Sequence, residues 1–318
     1  MTWVFARIGR AILTLLLLIA FTFFTLAISG DPAVAKFGED IDMATLEAFR
    51  AKWGLNYPLW KQFLIYLNGI VHLDFGVSFR TGEPAWGLVV SRLPATLSLM
   101  LPTMVFSILI GVPLGVFAAM NRGKWADRFT IVLAVVALAI PSFLLGLLLM
   151  FVFSVWLAWL PPSGIVGWQS YIMPSATLAI ATAAIYARFT RSAMVEVLSH
   201  PMIETAQASG LSRRVILCMH GLPNVLLPLI TISALEFGNI LTFAIVVESV
   251  FSWPGVGRLL ITGIANRDYA VVQAILLLTG TTVIVANLLA DIAYGYVDPR
   301  IADARLKGRR HNAVLDKT

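Results

Sequence analysis

Six apolar runs, at residues 11–28, 93–120, 129–160, 171–189, 225–247 and 269–296, leave this chain few ways to fold. Each is about 18 residues or longer, and at ~1.5 Å of rise per residue a helix of that length reaches across a hydrocarbon core about 30 Å thick. No water is available at that depth to satisfy backbone N–H and C=O groups, so each run must close its hydrogen bonds within itself. With 59% hydrophobic and 13% charged residues among 318, the chain is too apolar for a soluble domain of its length. The fold class that follows is an all-α membrane protein with six transmembrane helices.

The net charge of +6 and pI near 9.7 would suit a nucleic-acid partner, but the Lys and Arg residues flank the apolar runs, so no nucleic acid is expected. They mark orientation instead. Arg7 and Arg10 precede the first run, Arg122, Lys124 and Arg128 follow the second, and Arg188, Arg191 and His200 follow the fourth. Arg300, Arg305, Lys307, Arg309 and Arg310 fill the tail, whereas the other three connections are mixed or nearly neutral and residues 161–170 carry no charge. Both termini are therefore expected in the cytoplasm. Ala27-Ile28-Ser29 imitates a signal-peptidase site, but the apolar core before it exceeds the usual ~7–15 residues of a signal peptide, so a retained first helix is expected.

Residues 30–92 change character. Asp31, Glu39, Asp40 and Glu47 alternate with Lys36, Arg50, Lys52 and Lys61, which reads as an external soluble insert. Short amphipathic helices are predicted at 44–53, ended by Gly54, and at 59–73. Pro94, Pro102 and Pro113 in the second run predict a kinked helix inside a bundle, and Pro141 lies within the third run, treated as one span, with an aromatic belt at Trp156 and Trp159. Residues 251–268 read as a polar turn. The lone Cys218 excludes an intramolecular disulfide, and the four histidines lack metal-ligand spacing. Gly123-Lys124 is followed by Trp125, so the phosphate-cradling GxxxxGK[ST] loop is absent and no enzyme activity is expected.

The polar interlude at 201–224, PMIETAQASGLSRRVILCMHGLPN, carries the functional signal. Pro201 suits the first turn of a helix, Glu204 complements its positive end, and Gly210 can adopt the left-handed conformation that stops it. Ser212 then caps a second short helix with Arg213, Arg214 and Cys218. The product is a small knob outside the bilayer.

Glu204, Ala206, Gly210, Leu222 and Pro223 match the spacing of the "EAA" loop of binding-protein-dependent ABC importer permeases. Thr205 departs from that pattern, and so does His220, where isoleucine is usual. LDFGVSFRTGEPAW at 73–86, YARFTR at 186–191, ESVFSWPGVGRLL at 248–260, NRDYAVVQ from Asn266 and DPR from Asp298 resemble the dipeptide, oligopeptide and nickel branch. The resemblance implies the type I ABC importer permease fold in a bacterial inner membrane. It divides the chain into a first helix with external insert (1–91), a permease core (92–296) with its cytoplasmic loop at 199–223, and a basic tail (297–318).

It also implies two ABC ATPase subunits that bind the ATP, a second permease subunit taken as a different chain, and an external solute-binding protein, with no cofactor on this chain. Glu204, Thr205, Ala206, Ala208, Gly210, Leu222 and Pro223 would dock the ATPase, Ala206 and Gly210 by leaving room for it. Trp253, Pro254, Gly255 and Arg258, placed outside, are candidate contacts for the binding protein, with a plain capped turn as the rival. Glu236 and Asn239, near mid-span, are candidates for the translocation path, Glu236 for a positive group on the substrate. Partners within the bundle are the alternative for Glu236, and interhelical hydrogen bonds for Asn239 and Asn287. The expected cargo is a di- or oligopeptide, with nickel or another small solute as the alternative. A secondary transporter working without ATP is the rival class; it would carry intramembrane charge pairs and no docking loop.

Overall fold

The computed structural model describes residues 2–28, 30, 32–37, 42–212 and 215–297. Readings that rest on Asp31, Glu39, Asp40, Arg213, Arg214, the Asp298-Pro299-Arg300 segment and the basic tail lie outside the described residues.

The first span is α1 (Thr2–Ile28). The insert follows as α2 (Pro32–Phe37), α3 (Met43–Lys52) and α4 (Leu59–Val71), close to the two helices expected there, with α2 added. Its small core joins Ala33, Leu46 and Phe49 to Trp53 and Phe79. Phe63 and Tyr66 of α4 lie 5.2 and 5.6 Å, ring to ring, from Phe23 of α1. The segment before the second span is pinned from far away in sequence: Ser78 donates its hydroxyl proton to the Asp268 carboxylate, which also accepts from the Phe79 N–H at 3.2 Å.

The second span, α5 (Ala85–Met120), is one helix of 36 residues that stays continuous across Pro94, Pro102 and Pro113. The third, expected as one span with Pro141 inside it, is a bent pair of helices. It is α6 (Trp125–Ala139) and α7 (Ser142–Met150), the latter prolonged by a π-helical turn Phe151–Trp156, and the two parts are bent by 95°. The break falls where Pro141 lacks an N–H and drives the preceding residue out of the helical region, with Ile140 at φ −82° and ψ 119°. Trp156 and Trp159 are exposed beyond it.

The fourth span, α8 (Ile172–Leu198), continues past the expected end at Phe189, so Arg188 and Arg191 lie on the helix and not in a loop. After the short α9 (Pro201–Ala208) come the fifth span, α10 (Leu222–Val250), then α11 (Val256–Ala265), and the last span, α12 (Tyr269–Val297). The expected polar turn at 251–268 thus contains a helix. Among the described residues five helices are long and apolar enough to cross a membrane, six if the bent pair counts as one span.

In lipid, apolar burial does not drive helices together, so close packing between small residues does that job. α5 and α8 meet at Gly111 and Gly115, where an added Cβ would stand 2.5 Å from the carbonyl oxygens of Ala183 and Ala187. Just above, the Ser107 hydroxyl donates to Thr103 O at 2.7 Å and reaches Ala179 O at 3.3 Å. Outward faces of α1, α5, α6 and α7 keep large aliphatic and aromatic side chains exposed, as a lipid-facing surface requires.

One corner locks α5, α10 and α11 together. Glu248, near the end of α10 and fully buried, accepts from Thr96 Oγ1 of α5 at 2.7 Å and from the N–H groups of Gly257 and Arg258 at 2.7 and 3.1 Å. Thr96 Oγ1 in turn accepts from the Val256 N–H at 2.9 Å. The first N–H groups of a helix have no partner within it, and here a carboxylate from another helix supplies one. Trp253 is buried beside it, donating Nε1–H to Ala95 O at 2.8 Å, and a Cβ on Gly255 would fall 2.3 Å from the Glu248 carboxyl group. Glu248→Ala leaves these donors unpaired, at roughly 1–3 kcal/mol for each one buried. The expected outcome is a lower thermal midpoint in detergent with faster amide exchange at Gly257 and Arg258; unchanged exchange there would show that the corner does not depend on the carboxylate.

Candidate functional site

The polar interlude forms a knob with two roots. One is α8, whose last residue, Leu198, packs against Ile203 and Ala206 of α9 and against Ile216. The other is α10, which the chain enters through a π-helical turn, Ile216–Gly221. Pro201 opens α9 as expected, and His200, read from sequence as part of a basic loop, is its cap: Nδ1 accepts from the Met202 N–H at 3.3 Å.

Glu204 lies exposed in the first turn, and Thr205, also exposed, returns its hydroxyl to Pro201 O at 3.1 Å. Ala208 and Gly210 are exposed at the tip, Gly210 at φ +79° with no heavy atom within 4 Å of an added Cβ. Ala206 differs from expectation. It is buried against Ile203, Ile216 and Leu198, so its small size sets the spacing inside the knob.

The Ser212 hydroxyl accepts from the Val215 N–H at 3.5 Å; Arg213 and Arg214 of the expected second helix lie outside the described residues, and from Val215 onward the chain runs into α10 without a break. Gly221 stays right-handed, at φ −76° and ψ −68°, so the turn that exposes Cys218 winds straight into α10 through half-buried Leu222 and exposed Pro223. A Cβ on Gly221 would lie 3.1 Å from Met194 Sδ, which places this turn directly on α8.

Close to the knob, α8 carries an ion pair. Arg191 donates Nη2–H to Asp127 Oδ2 at 2.8 Å and Nε–H to Oδ1, and the Gly123 N–H reaches Oδ2 at 2.9 Å. Asp127, in the first turn of α6, is 2% exposed. Sequence reasoning gave Arg191 only an orientation role and gave Asp127 none. The signal available was an acid at the head of an apolar run otherwise flanked by bases.

In mid-membrane, α10 presents Ser233, Glu236 and Asn239 at helical spacing. Tyr186 of α8 donates to Ser233 Oγ at 2.9 Å, and Asn239 Nδ2 donates to Glu236 Oε1 at 3.1 Å. The hydrogen bond from Asn239 is therefore within its own helix, not between helices; Asn239 and Asn287 are exposed, and Glu236 is buried. A cavity of about 710 Å³ between α5, α6 and α8 does not include Glu236 among its walls. At the other end of the bundle, Trp253 and Gly255 are buried in the Glu248 corner and offer no surface to a partner, Pro254 is half-buried, and Arg258 is exposed on α11 with its guanidinium on Ser252 O at 2.7 Å.

Residues 111–303 match the family described as "Binding-protein-dependent transport system inner membrane component", and residues 1–100 match its N-terminal companion, "Binding-prot-dependent transport system membrane comp, N-term". The glutathione transport system permease protein GsiC of Escherichia coli (strain K12) is 41% identical over 302 residues, covering 95% of this chain and 99% of that protein. GsiC of Shigella flexneri serotype 5b (strain 8401) is 40% identical over the same shares. Of solved structures, an inward-facing conformation of the MetNI methionine ABC transporter superposes with a TM-score of 0.56 at 20% identity, covering 66% of this chain and 96% of that chain, a likeness of fold alone. The chain therefore belongs to the binding-protein-dependent transport system inner membrane component family, as a multi-pass inner-membrane permease subunit of an ABC importer of the peptide and nickel branch, and it is not an enzyme.

Proposed function

We propose that this permease imports short peptides and that ATP-hydrolysing partner subunits drive it through the knob formed by α9 and the turn after it. The observation that carries the reading is the knob itself: a short helix with Glu204, Thr205 and Ala208 exposed, ended by a left-handed Gly210 and rooted directly on two spans. A protrusion this small buries too few apolar groups to serve its own stability, and its roots on α8 and α10 suit it to moving them. The peptide cargo is supported by the relatives at 41% identity, which are named for glutathione, a peptide-like solute.

In this reading two ATPase subunits bind the ATP, a second permease chain completes the path, and a solute-binding protein delivers cargo on the opposite side. The knob and both termini face the cytoplasm, as the basic flanks Arg122, Lys124, Arg188 and Arg191 favour. Arg258, with Ile261 and Ile264 exposed on the same helix, is then the part of the α11 region within reach of the binding protein. Glu236, hydrogen-bonded by the exposed Asn239, would attract a positively charged group once the second chain closes the path.

Cys218, the sole cysteine and exposed on the turn behind α9, is a built-in probe. A membrane-impermeant maleimide is expected to label it in inside-out vesicles stripped of ATPase, not in intact spheroplasts, with protection when the ATPase is restored; labelling from the outside would overturn the orientation. Gly210→Val should abolish transport with the protein still in the membrane, because a β-branched residue is strained at φ +79°, whereas Gly210→Asn, which tolerates that conformation, should retain much of it. Normal uptake by the valine variant defeats the docking role. For Glu236→Gln, uptake of peptides with an extra positive charge should fall relative to neutral ones, and an identical preference profile removes Glu236 from the path.

A further inference from the structure

The fork between Arg191 and Asp127 lies where displacement of the knob would pass into the bundle. α9 is seated on the last turn of α8, and Arg191 is on the same unbroken helix, ~10 Å before its end. Its guanidinium holds both oxygens of Asp127, and the same carboxylate holds the Gly123 N–H at 2.9 Å. The pair therefore joins α8 to the first turn of α6 and to the turn that precedes it.

Deeper in the membrane, among the described residues, no ion pair links these helices. There Leu133, Ala134 and Ala137 of α6 face Ala176, Ala179 and Ala183 of α8 across the cavity of about 710 Å³ shared with α5. Apolar surfaces of small residues can slide, whereas a planar fork on a buried carboxylate has a fixed geometry. An orientation marker needs only an exposed charge, yet Asp127 is 2% exposed and takes three N–H groups.

We propose that the Arg191–Asp127 fork is the strut that carries movement of the knob to the bent third span, α6 and α7, which makes both residues positioning residues for coupling ATP hydrolysis to opening of the path. The proposal rests on the docking reading above. In it, α8 and α6 turn together when the knob is displaced, and the bend at Pro141 converts that rotation into movement of α7.

The test uses the whole importer, with its ATPase subunits, second permease and binding protein, in proteoliposomes. Arg191→Lys keeps the charge and the orientation signal but loses the fork, and Asp127→Asn keeps the shape but loses the charge. Both are expected to retain ATPase subunits on purification and to hydrolyse ATP within about twofold of the native rate, while solute imported per ATP falls about fivefold or more. A native ratio of solute to ATP in Arg191→Lys overturns the strut. So does loss of the ATPase from that variant, because the pair would then be building the docking surface and not transmitting from it. Failure of the docking reading itself is distinguishable: it would appear in the native protein, as ATPase that gives Cys218 no protection from maleimide.

Discussion

Backbone contact between α5 and α8 is the constraint on which the rest depends. Where Gly111 and Gly115 face the carbonyl oxygens of Ala183 and Ala187, there is no room for even a methyl group, so α5 and α8 are held at one crossing. Lipid offers no hydrophobic reward for that approach; dispersion between well-fitted surfaces and hydrogen bonds such as that of Ser107 hold it. From the crossing, α8 runs one way to the knob, and α5 runs the other way to Thr96 and the Glu248 corner. Both ends of the molecule are thus mounted on one joint.

The two ends are built by different means. At the corner, a fully buried carboxylate satisfies a helix start that has no local cap, and α11 is fixed to α5 and α10 with little freedom. At the knob, contacts are small: among the described residues, Leu198, Ile203, Ala206 and Ile216 form its apolar core. The proposed function uses this asymmetry: the ATPase surface would complete the minimal knob, while the fixed corner would keep α11 in one attitude for the solute-binding protein.

Sequence made the spans legible because backbone satisfaction in lipid depends on length and apolarity, and both are local properties. It was less reliable where a distant residue decides. Pro141 breaks its span while Pro94, Pro102 and Pro113 lie inside one continuous helix, so the presence of a proline does not by itself announce a break. The helix at Val256–Ala265 was hidden because its cap is Glu248, which sits in the preceding helix, while Trp253-Pro254-Gly255 looks like a turn. Asp127 and Arg191 are separated by 64 positions, so neither charge announces the other. The inward facing of Ala206 is local, since Ile203 and Ala206 stand three apart on one side of α9.

The central claim is that this pore is worked by force made in other chains and delivered through the knob. The most direct measurement is solute accumulation in proteoliposomes containing the full importer, with active ATPase subunits compared against subunits that bind ATP but cannot hydrolyse it. The account predicts accumulation above the outside concentration with the active subunits alone. Uphill accumulation with the inactive subunits would contradict it.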